Sequence, residues 1–109
     1  MNYKGVAYYY LKEYYKAIDC IDQVLQLDPK HTDALNNKGL IYYNLKEYQK
    51  AIDCFHNVLQ IDTKKTNTLN NKGISYNNLK EYLKAIDCFD KILQIDPKNT
   101  KAFNCKRYA

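Results

Sequence analysis

The pentapeptide Leu-Asn-Asn-Lys-Gly occurs at 35–39 and again, unchanged, at 69–73. A weaker copy, Asn2-Tyr3-Lys4-Gly5, precedes them, and a fainter one, Phe103-Asn104-Cys105-Lys106, follows. The first asparagine of each group falls at 2, 36, 70 and 104, always 34 residues apart. A fixed period of that length restricts the chain to a stacked array, in which each unit buries its apolar face against its neighbours. Other positions keep the same phase. Gly5, Gly39 and Gly73 match, as do Tyr8, Tyr42 and Tyr76; Ala17, Ala51 and Ala85; and Ile21, Phe55 and Phe89.

Each unit reads as two helices. Thr32 to Leu45 carries Leu35, Gly39 and Tyr42 at i, i+4, i+7, which puts them on one helical face. Lys46 to Gln60 carries a broader apolar stripe of Tyr48, Ala51, Ile52, Phe55, Val58 and Leu59. Thr32, Thr66 and Thr100 are expected N-caps of the first helices. Asp28-Pro29 and Asp96-Pro97 end the second, because a residue before proline is pushed out of helical geometry. Lys50 sits three residues from both Glu47 and Asp53, and the trio recurs at 13/16/19 and 81/84/87, as expected of a solvent-facing ladder. A helix pair is expected in every unit.

Composition narrows the function. The net charge of +5 is spread in phase with the repeat, so a solvated surface explains it better than nucleic acid does. No signal peptide and no membrane-length apolar run stand out. Cys20, Cys54 and Cys88 repeat with the period, and Cys105 follows. Equivalent sites on stacked units lie too far apart for disulfides, so all four are expected as small semi-buried hydrophobes in a reducing compartment, the cytosol or nucleus. Catalysis has little support: His31 falls in a loop, and His56 takes a phase held elsewhere by Asp22 and Asp90. No zinc-like cluster, phosphate-binding loop or dinucleotide fingerprint occurs, so neither an enzyme nor a cofactor is expected.

The phase-locked set Leu/Met–Gly–Tyr–Ala–Phe/Ile–Pro at this period resembles the tetratricopeptide repeat over essentially the whole chain. The resemblance implies an all-α, right-handed superhelical solenoid of antiparallel helix pairs. It divides the chain into repeat 1 at 1–31, lacking its first residues, repeat 2 at 32–65, repeat 3 at 66–99, and a capping or partial fourth helix at 100–109. The glycine and alanine let the paired helices approach closely. Departures are mild: Lys12, Lys46 and Lys80 stand at the usual interhelix glycine, and Lys4, Lys38 and Lys72 at the usual leucine before the conserved-type glycine. The lysine stems can cover apolar surface there. Either the chain is a segment of a longer array, or its ends stack on other copies.

The same resemblance assigns the asparagines to a concave groove that receives an extended peptide. Carried over residue by residue, the groove is Asn2, Val6 and Tyr9; Asn36, Leu40 and Tyr43; Asn70, Ile74 and Asn77; and Asn104 with Tyr108. Asn37, Asn44, Asn71 and Asn78 flank it. An amide side chain both donates and accepts, so a ladder of them could grip a peptide backbone with little regard to its sequence. Inheritance by duplication explains the same asparagines, although each costs about 0.6 kcal/mol of helix propensity against alanine. The carboxylate clamp of co-chaperone arrays does not fit, since Lys101 is the sole cation in phase. The expected role is a protein-interaction scaffold binding an extended partner segment. The alternatives are end-to-end self-association through the terminal helices, with Phe103 and Tyr108 at one end, and single-stranded RNA binding.

Overall fold

The computed structural model describes residues 3–99 and 105, with backbone alone for 3–10 and Lys12. Among the described residues five helices follow one another: α1 Tyr3–Leu27, α2 Thr32–Asn44, α3 Tyr48–Ile61, α4 Thr66–Asn78 and α5 Tyr82–Ile95. No strand occurs among the described residues. The apolar stripes decide the pairing. Ala51, Phe55 and Val58 of α3 are wholly buried against α2, and Ala85, Phe89 and Ile92 of α5 repeat that packing against α4. Leu69, Ala85, Phe89 and Ile92 form one core cluster, with Ile74, Leu93 and Cys105 packed on its margin. α3 in turn packs on α4, so one pair stacks on the next.

The chain reverses between paired helices through a left-handed residue. Lys46 has φ 62° and Lys80 has φ 61°. At the first reversal, the Lys46 N–H donates to Tyr43 O (2.9 Å) and the Glu47 N–H to Tyr42 O (2.9 Å). The second repeats this with Lys80 to Asn77 O and Glu81 to Tyr76 O. These bonds satisfy the last helical carbonyls in the manner of a Schellman cap. A left-handed lysine costs roughly 1–2 kcal/mol, which the packing of the pair offsets.

In the first unit that reversal does not occur. α1 runs unbroken for 25 residues through Leu11-Lys12-Glu13-Tyr14, a tetrapeptide identical to those at 45–48 and 79–82. The expected helix pair of repeat 1 is therefore one helix. Since the tetrapeptide is the same, local sequence permits both outcomes, and packing decides. Phe55 and Phe89 fill the crossings of their pairs, whereas their phase in the first unit holds the smaller Ile21, which is only half-buried.

Four smaller expectations are refined. The N-caps fall one residue earlier than the threonines, at His31 (ψ 98°) and Lys65 (ψ 92°), where the backbone is already extended. His31 is a true cap, its Nδ1 accepting from the Ala34 N–H at 3.1 Å; Thr100 lies outside the described residues. Glu47–Lys50 and Glu81–Lys84 pair at 3.5 Å, but Asp53 takes Gln49 and Asp87 takes Lys91 instead. Cys54 and Cys88 are buried and Cys105 half-buried, while Cys20 is exposed; all four are free thiols. Proline is not needed to end a second helix. α3 stops at Asp62-Thr63 as α5 stops at Asp96-Pro97, each aspartate accepting from the N–H two residues on at 3.2 Å. Among the described residues, no helix is long and apolar enough to cross a membrane.

Candidate functional site

At 100° per residue, Asn36, Leu40 and Tyr43 share a face of α2, and Asn70, Ile74 and Asn77 share the matching face of α4. Both faces are turned from Leu35, Gly39 and Leu69, Gly73, which are buried against α3 and α5. All six residues are half-buried, and α2 and α4 touch directly. The structure thus places six of the eleven expected groove residues on neighbouring helices. Asn2, Asn104 and Tyr108 lie outside the described residues. Val6 and Tyr9 lie in the leading part of α1. An unbroken helix cannot fold its first residues back beside its own second half, which is the placement the groove requires of those two.

The amides differ from one another. The Thr68 hydroxyl donates to Asn36 Oδ1 at 3.0 Å, so this carbonyl already joins α2 to α4. Thr68 is fully buried. Its phase holds Ala34 one unit earlier and Ala102 one unit later, neither with a hydroxyl. Asn70 Oδ1 is buried and finds no donor among the described residues, and the same is true of Asn77 Oδ1. Tyr43 is anchored edge-on against Tyr48, ring centroids 5.5 Å apart. Of the flanking amides, Asn37, Asn44 and Asn78 are exposed and Asn71 half-buried, and Asn78 Nδ2 donates back to Ile74 O at 3.0 Å. Asp33 supplies the acid of the α2 face and meets Lys65 at 3.5 Å. Sequence reasoning missed Thr68. Its signal was a polar residue at a phase otherwise held by alanine.

No group of three His, Cys, Asp or Glu side chains among the described residues is arranged to hold a metal ion. The face is neutral, amide-rich and edged with hydrocarbon. It suits hydrogen bonding and shallow apolar contact.

Helix pairs that stack through their second helices, and leave their first helices side by side, define a helical-repeat solenoid. The tetratricopeptide repeat model matches residues 1–31, 32–64 and 66–99, and the chain belongs to that family. Similar solved structures include the first tetratricopeptide domain of Spaghetti (RPAP3) bound to the HSP90 peptide SRMEEVD. It is 24% identical, with 96% of this chain and 83% of that chain covered at a TM-score of 0.81. The tetratricopeptide domain of Arabidopsis OM64 is 23% identical, covering 96% and 87% at 0.79. YrrB, described as having an unusual peptide-binding site, is 23% identical, covering 89% and 50% at 0.78. At such identities the likeness is one of fold. No curated protein matches the chain.

Proposed function

We propose that the chain is a protein-interaction module that holds an extended partner segment along the α2–α4 face. The observation that carries this reading is the pair of donorless carbonyls, Asn70 Oδ1 and Asn77 Oδ1, two turns apart on one face of α4. Buried acceptors without a donor cost about 1–3 kcal/mol each, and turning these two amides outward on binding lets peptide N–H groups supply the missing donors. Asn36 is only half available, since its carbonyl is taken by Thr68. Leu40, Ile74 and Tyr43 border the amides and supply apolar contact.

Two solved relatives carry acidic peptides, SRMEEVD from HSP90 and SGPTIEEVD from HSP70. Here the corresponding helices present asparagine, leucine, isoleucine and tyrosine, and the acid Asp33. That composition favours backbone capture over an acidic tail. Each amide bond contributes about 1 kcal/mol, and micromolar binding needs about 8. The apolar neighbours therefore carry most of the affinity, at about 25 cal/mol per Å² buried.

The test is capture from an unbiased peptide library by the native chain and by Asn70→Ala/Asn77→Ala. Losing two bonds weakens the selected peptides about 30-fold in all. The helical signal and melting temperature should hold or rise, because the substitutions delete unpaired acceptors and improve helix propensity. Equal capture by both proteins would remove the asparagine grip.

A further inference from the structure

The three units serve as controls for one another on the side of the array opposite the asparagines. At the seam between α1 and the α2–α3 pair, Lys38 Nζ meets Asp22 Oδ1 at 2.7 Å. The corresponding seam between α3 and the α4–α5 pair keeps the lysine, Lys72, but places His56 where the acid stood. Lys72 Nζ lies 3.5 Å from His56 Nδ1, a long contact in place of an ion pair with a carboxylate. Two more changes fall on the same seam. Asn57 becomes Lys91 one period on, and Pro29 becomes Thr63. In the next unit the phases of His56 and Thr63 return to Asp90 and Pro97.

The three changes converge on one place. A cleft of about 340 Å³ opens there, lined by His56, Gln60, Thr63, Lys72, Cys88 and Lys91 among others. The Gln60 amide lies 3.1 Å from His56 Nε2. Where the first seam has one acid and one base at these phases, the second has two lysines and no acid. Lys91 pairs with Asp87 at 3.2 Å on an exposed face, a kind of pair worth about 0–1 kcal/mol. Burial keeps the Cys88 thiol protonated, so the floor adds no negative charge. On α4, Lys72 points about 200° from Asn70 and Ile74, so the cleft is separate from the peptide face.

We propose that this cleft is an oxyanion site that takes a phosphate group, with Lys72 and Lys91 supplying charge and Thr63, Gln60 and His56 supplying hydrogen bonds. Lysine ammoniums bind phosphate as point charges, and the Thr63, Gln60 and His56 side chains add the directional hydrogen bonds that an ammonium pair lacks. None of these residues lies on the peptide face, so phosphate binding does not depend on peptide capture.

The experiment is an amide NMR titration of the full chain at neutral pH with inorganic phosphate, against chloride at equal ionic strength. Saturable shifts at Thr63, Lys72 and Lys91 with phosphate alone are expected. In His56→Asp, which recreates the pairing of Lys38 with Asp22, phosphate affinity should fall at least tenfold while the melting temperature holds or rises. Lys91→Asn should weaken binding in the same direction. A phosphoserine peptide and its unphosphorylated form distinguish the source. Tighter binding of the phosphorylated peptide than of free phosphate assigns a phosphoprotein, and equal binding assigns a small phosphate compound. Identical shifts in phosphate and chloride, or undiminished phosphate binding by His56→Asp, would overturn the site.

Discussion

A Cβ on Gly39 would sit 2.5 Å from Phe55 Cε1 and 2.8 Å from its Cδ1. At Gly73 the same atom would meet the Phe89 ring at 2.6 Å. Both rings are wholly buried and have no room to turn aside. The glycine that closes each Leu-Asn-Asn-Lys-Gly is thus there for close approach, not for a turn; the left-handed positions are lysines. Overpacking costs typically 1–3 kcal/mol, while alanine regains about 1 kcal/mol of helix propensity. Gly39→Ala should therefore lower stability by about 1 kcal/mol, read as a drop in the urea midpoint at unchanged slope. A rise in midpoint would show slack at the crossing. Of the two asparagines before Gly39, Asn36 accepts from the Thr68 hydroxyl of the next unit, while Asn37 is exposed. Thr68→Val keeps the volume and removes that donor, with an expected loss of about 1 kcal/mol. Repeated in an Asn36→Ala background, the same change should cost much less, because the bond is already gone.

At the scale of the element, α2 to α5 were legible because their apolar phases repeat in register. Leu35, Gly39 and Tyr42 fix one stripe, and Ala51, Phe55 and Val58 the other, so the pairing followed. α1 was not legible. The tetrapeptide Leu-Lys-Glu-Tyr is read identically at all three places, yet it bends twice and runs straight once. The difference lies in what stands across the crossing, a tertiary quantity that no window of eleven residues contains. The caps shifted for a related reason. Threonine is a good cap in isolation, but the backbone becomes extended at His31 and Lys65, and the threonines are drawn into the first turn. For the candidate site, phase alone placed Asn36, Leu40, Tyr43, Asn70, Ile74 and Asn77 on neighbouring faces. Which carbonyls were already occupied depended on Thr68, a residue whose importance shows only once its helix is packed. The basic cleft was half-visible, in the replacement of Asp22 by His56, which alone reads as drift of an exposed position. It acquires meaning when Lys72, Lys91 and Thr63 arrive beside it.

Across the whole molecule, the resolved shifts in acidity share one direction. A hydrogen bond from Lys38 to Asp22 holds the lysine above its ordinary 10.5, against some loss from burial. Burial pushes the thiols of Cys54 and Cys88 above 9.0 and the phenol of Tyr76 above 10.0. In every case the folded chain keeps a proton that the unfolded chain releases at lower pH. Stability then falls as pH rises, because the folded state binds more protons. For Lys38 the pair is fully present below 10.5 and is lost as pH passes the raised value; the thiols begin to act near 9.0. The melting temperature should therefore hold up to about pH 9 and decline beyond it, first through the thiols and then through the phenol and lysine. Cys54 and Cys88 occupy the same place in successive units, so both pairs weaken together and unfolding should remain a single transition. Replacing both with alanine should flatten the first part of the decline and leave the part above 10.5. A decline that starts just as early without the two thiols would place the alkaline weakness outside the helix-pair cores, at groups other than Cys54 and Cys88.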